Sequence, residues 1–171
     1  MTPEFSRPYR LDELGGGVRA VTIEANEAER AALAVRFGLI QIDALAVTAE
    51  LVRENDAVVA TGKLRARVVQ ACVASGAPVP AKIAEDFALR FLPEAEVDAA
   101  EEIELHENDL DVIPYEGSAV DLGEAAAQTL ALALDPFPRA PDAEEKLRAA
   151  GVIGEADAGP FAALKALRDK L

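Results

Sequence analysis

The stretch Gly62–Pro80, GKLRARVVQACVASGAPVP, decides how the chain folds. Leu64, Ala66 and Val68 alternate with Lys63, Arg65 and Arg67, the two-residue period of a strand with one buried face. The strand then runs into Cys72, the sole cysteine, and a turn-forming Ser75-Gly76-Ala77-Pro78. Upstream, Leu45, Val47, Ala49 and Leu51 mark a second strand over Ile42–Arg53, with Thr48 and Glu50 on its other face, and Glu54-Asn55-Asp56 supplies the turn between the two. Opposed residues of an antiparallel pair share a face, so the row Leu45 to Leu51 should oppose Val58, Ala60, Gly62 and Leu64. That parity sends Val58, Ala60, Leu64, Ala66 and Val68 inward and Thr61, Lys63, Arg65 and Arg67 outward. Beyond the Cys72 turn, which should be irregular through Pro80, Ile83, Phe87, Leu89 and Phe91 alternate as a third strand ending at Pro93.

Outside these strands the punctuation is local. The Arg7-Pro8 step favours an extended leading strand or arm, and Gly15 to Gly17 read as a loop, because no Lys and Ser/Thr follow to complete a phosphate cradle. Val18–Ala25 forms a strand, and Asn26 with Glu29 opens a helix over 27–37 that Gly38 closes. Asp121 with Glu124 opens a second helix, 121–134, with the stripe Leu122, Ala126, Leu130 and Leu134. Pro136 and Pro138 mark a linker, and Asp142 with Glu145 caps a short helix ending near Gly151. Glu94 to Asp111 reads as an acidic loop with a short strand near Ile103–Leu105, and residues 160–171 as a terminal helix aligning Phe161, Leu164, Leu167 and Leu171. A helix that short is marginal alone, so it docks on its own domain or on a partner. The predicted architecture is α+β: an antiparallel curved sheet or partial barrel, two main packing helices and a short C-terminal helix. Residues 1–138 form one domain and 139–171 an extension, docked or partner-binding.

Composition narrows the function classes. A chain of 171 residues can bury roughly 70% of its unfolded surface without a disulfide, and one cysteine excludes an internal one. No basic region followed by an apolar run suggests export, and charges or prolines interrupt every stretch approaching the roughly 20 apolar residues of a membrane span. A cytoplasmic protein with no membrane partner is expected. The net charge of −14 is concentrated: residues 91–138 hold 13 Asp or Glu and no Lys or Arg. With a Debye length of about 8 Å at physiological salt, that segment need not cancel a basic patch elsewhere.

Three groups could carry chemistry. Lys63, Arg65 and Arg67 either solvate the sheet, pairing with Glu50 across the hairpin, or follow a nucleic-acid backbone at steps of about 6.8 Å. The carboxylates Glu101, Glu102, Glu104 and Glu107 lack the calcium-loop pattern and suit a solvated loop or a surface for a basic protein. Cys72 alone cannot make a structural zinc site, and His106 is remote in sequence, so a buried apolar cysteine is expected, with neither metal nor cofactor.

The Gly62–Pro80 strand and turn, Phe87-Ala-Leu-Arg-Phe91 with Pro93, the acidic stretch, Val120-Asp-Leu-Gly-Glu124 leading to Leu130-Ala-Leu-Ala-Leu134, and Pro160-Phe-Ala-Ala-Leu164 together resemble the YceD family, from about Val18 to the end. The resemblance implies a non-enzymatic ribosome-biogenesis factor supporting synthesis, processing or stability of 23S rRNA. Its partner would be rRNA or a pre-ribosomal large-subunit particle and not DNA, touched through Lys63, Arg65 and Arg67. The alternative is an acidic module that captures a basic ribosomal protein, with Glu101, Glu102, Glu104, Glu107, Phe161, Leu164 and Leu167 as its contacts. An enzyme dependent on Cys72 is the third reading. Gly62, Cys72, Ser75 and Pro78 fall on the family's motif turn. Many members carry C-x-x-C where this chain has Cys72-Val-Ala-Ser75, so metal or redox chemistry of that motif is not expected here.

Overall fold

The structure is a computed structural model, and it describes residues 3–95 and 111–152. The chain divides into two compact units, one of Met1–Gln70 with Pro80–Asp135 and the other of Ala71–Val79 with Pro136–Leu171. The expected strand near Ile103–Leu105 and the expected terminal helix 160–171 lie outside the described residues, as do Glu101, Glu102, Glu104, Glu107, Phe161, Leu164 and Leu167.

The first unit is α+β, built on a curved, open five-stranded sheet. In chain order its elements are β1 (Pro8–Arg10), β2 (Arg19–Glu24), α1 (Glu27–Phe37), β3 (Gln41–Glu54), β4 (Ala57–Ala71), β5 (Pro78–Pro93), β6 (Asp111–Tyr115), β7 (Ala119–Asp121) and α2 (Leu122–Ala133). The large sheet has the order β2-β3-β4-β5-β6, and β1 pairs with β7 apart from it. The β3/β4 register places Val47 opposite Leu64, Ala49 opposite Gly62 and Leu51 opposite Ala60, with the expected parity. Leu45, Val47, Leu51, Val58, Leu64 and Val68 are buried, and so are Phe87, Leu89 and Phe91 of β5.

One pair departs from the antiparallel expectation. β6 runs parallel to β5, which the long connection after Pro93 allows. Neither β6 nor β7 was expected from sequence: β6 is short and contains Pro114, which an edge strand tolerates. β5 begins at Pro78, so the irregular turn is shorter than expected.

Helix termini show which local signals suffice. At α1 the Asn26 side chain accepts from the Glu29 N–H, the Glu29 carboxylate accepts from the Asn26 N–H, and Gly38 is left-handed at φ 65°. At α2 the Asp121 carboxylate accepts from the N–H groups of Gly123 and Glu124, and also from Ser6 Oγ and the Arg7 N–H. Glu124 does not reach back; it pairs with Arg36 at 2.8 Å, tying α2 to α1. Gly123 is required there, because a Cβ would lie 2.5 Å from the Phe5 carbonyl oxygen.

The second unit contains α3 (Ala143–Ala149) and the Cys72 turn. Asp142 makes no side-chain cap, contrary to expectation; its carboxylate pairs with Lys146 one turn on, at 2.9 Å. Cys72, Ala140 and Ala143 form its small buried cluster, with Ala74, Ala77 and Val79 against it.

Candidate functional site

The outward face of the sheet brings the predicted cations together. The registers align Ala20–Glu50–Thr61, Thr22–Thr48–Lys63 and Glu24–Ala46–Arg65 across β2, β3 and β4, with Arg67 opposite Ala44. Lys63, Arg65 and Arg67 are all exposed. Their direct partners on β3 are the short residues Thr48, Ala46 and Ala44, so the long cationic side chains stand above a low surface on that side. A groove of about 840 Å³ crosses this face, lined among others by Thr22, Thr48, Thr61, Lys63 and Asp86.

The expected pairing with Glu50 is not formed. Glu50 lies opposite Thr61, and the partner of Lys63 is Asp86 of β5, at 2.8 Å with both side chains more than half exposed. Water screens such a pair to about 1 kcal/mol or less, so Lys63 can exchange that carboxylate for another anion at little cost. Arg65 and Arg67 make no ion pair among the described residues. The face is not uniformly basic, since Glu24 and Glu50 belong to the same rows.

Sequence reasoning passed over two contributors. Thr22 joins the Lys63 row, in which the hairpin parity already placed Thr48, only through the β2/β3 pairing, which no local pattern reveals. Lys82 is exposed, and alternation along β5 puts it on the same face as Asp86. The connection from Ala71 to Pro78 is too short for a parallel crossover, so β5 must return antiparallel to its neighbour β4; with Asp86 beside Lys63, Lys82 then lies toward the Arg67 end.

Gly62 turns its missing side chain toward the inner face, where a Cβ would come within 2.3 Å of the Thr48 carbonyl oxygen and 2.8 Å of Ala49 Cα. Its role is close approach of two strands.

In the second unit, Cys72 and Ser75 lie in the connection between β4 and β5, and Pro78 opens β5. The Cys72 N–H donates to the Ala77 carbonyl at 2.8 Å, the Gly76 N–H donates to the Cys72 carbonyl at 2.8 Å, and Gly76 has φ 69°. Cys72 is 3% exposed, as expected of a buried cysteine. Its sulfur accepts the Ala140 N–H at 3.3 Å. That donor, with the Ser75 hydroxyl second, brings the thiol down to about 7 against the opposing effect of burial. Among the described residues, no group of three or more His, Cys, Asp or Glu could hold a metal ion. No helix among them is long and apolar enough to cross a membrane.

The fold and this face together define an α+β protein with a basic strand set in an open sheet. The chain belongs to the family described as large ribosomal RNA subunit accumulation protein YceD, whose profile matches residues 60–168, more than half of the chain. The match begins within β4, later than the resemblance placed it, and spans the cation row, the Cys72 turn and α2. Searches of curated proteins and of solved structures gave no match.

Proposed function

We propose that the protein is a non-enzymatic, cytoplasmic factor supporting accumulation of 23S rRNA during large-subunit assembly, and that it touches the RNA through Lys63, Arg65 and Arg67. The observation that carries this reading is the exposed row of three cations over threonine and alanine neighbours, with Arg65 and Arg67 unpaired among the described residues. The family description supplies the RNA. Cations held on one strand at steps of about 6.8 Å can neutralise successive phosphates while the sheet keeps their geometry rigid.

The test is RNA binding by the full chain and by K63E/R65E/R67E across a salt series. Three phosphate contacts give a log–log salt slope of about −2 to −3, and their removal should flatten it by that amount. Absence of RNA binding at about 50 mM salt, or an unchanged slope in the variant, overturns direct contact. Sedimentation of ribosomal particles after deletion of the gene tests the assembly role separately: accumulation of incomplete large subunits is expected, and a wild-type profile refutes it.

A further inference from the structure

We infer that the RNA bound by this face is a duplex, held through its backbone and 2′-hydroxyl groups, and not a single strand held by its bases. The inference rests on the RNA-contact reading above and goes on to the class of RNA. Sheet surfaces that bind single strands stack the bases on outward aromatic side chains. Here β2, β3 and β4 contain no aromatic residue, and the two of β5, Phe87 and Phe91, point into the core at 8% and 1% exposure.

What the face does present suits a duplex. Thr22 and Thr48 lie in one row with Lys63, and Thr61 is the next outward residue of β4. A threonine hydroxyl both donates and accepts, as does the ribose 2′-hydroxyl that lines the wide minor groove of an A-form helix. These threonines border the open groove of about 840 Å³, which Glu50 and Asp86 also line, and it is broad enough to admit a backbone without enclosing a base. Lys82 widens the basic end from one strand to two, since it lies on β5 toward Arg67. Short side chains on paired strands cannot rearrange to follow a splayed single strand, but they match a surface of fixed shape.

The experiment measures fluorescence anisotropy of the full chain with three probes at one salt concentration: an RNA duplex of about 20 base pairs, one unstructured strand of it, and the DNA duplex of the same sequence. The RNA duplex should bind about ten-fold tighter than either other probe. T22A/T48A/T61A, checked for native circular dichroism, should bring RNA and DNA duplexes to within about two-fold while leaving the salt slope unchanged, and K82E should weaken duplex binding. Equal or tighter binding of the single strand, or full RNA-over-DNA preference in the threonine variant, overturns the duplex inference and leaves the cation-row reading standing. Failure of all three probes to bind overturns both.

Discussion

Gly62 is the residue on which the β3/β4 pairing turns, since it lets Ala49 and the Thr48 carbonyl approach closer than any side chain permits. Gly62→Ala must part the two strands at the centre of the sheet, and a loss of roughly 2–3 kcal/mol is expected from urea unfolding. A change below about 0.5 kcal/mol would show that the strands separate freely there. Cys72 offers a second test at this scale. A thiol held near 7 in the folded protein, against 9.0 ordinarily, contributes stability that is fully present above the ordinary value and is lost as pH falls through about 7. The difference in urea midpoint between wild type and Cys72→Ala should therefore shrink from pH 9 to pH 6; a difference independent of pH would mean that the Ala140 N–H does not hold a thiolate.

The helices are tied to the rest of the first unit by partly buried ion pairs. Arg7 pairs with Glu29 of α1 at 2.7 Å, and Arg36 of α1 holds both Glu4 at 2.9 Å and Glu124 of α2 at 2.8 Å. The guanidinium of Arg7 keeps the Glu29 carboxyl below its usual range, and Arg36 does the same for Glu124. Carboxyls lowered in this way stabilise above their ordinary values and cease to do so as acid protonates them. E29Q/E124Q should lose about 1 kcal/mol or more per site at pH 7 and show a shallower loss of stability below pH about 4. Identical acid transitions in variant and wild type would exclude these pairs as the acid-sensitive contacts. The limits of α1 could be read from sequence because Asn26, Glu29 and Gly38 act within one turn of the helix ends. The partner of Glu124 could not, because Arg36 comes from another helix.

At the scale of the molecule, an exposed row of cations coexists with a net charge of −14. The acidic segment should repel RNA at low ionic strength and cease to matter once the Debye length falls to a few ångströms. E101Q/E102Q/E104Q/E107Q is thus expected to tighten RNA binding about two- to five-fold at 50 mM salt and leave it unchanged near 1 M. Unchanged binding at low salt, together with lost capture of basic large-subunit proteins, would favour the acidic-module alternative over direct RNA contact.

By itself the sequence determined the strands β3, β4 and β5, the helices α1 and α2, the parity of the hairpin and the outward direction of Lys63, Arg65 and Arg67. All of these follow from two-residue and helical periods and from caps acting over three or four positions. Tertiary structure alone decided the β6/β5 pairing, the β1/β7 pair, the Asp86 partner of Lys63, the place of Thr22 beside Thr48 and the Ala140 donor to Cys72. Each of these joins residues from separate elements, and such pairings depend on which surfaces the core brings together, a property no local stretch of sequence contains.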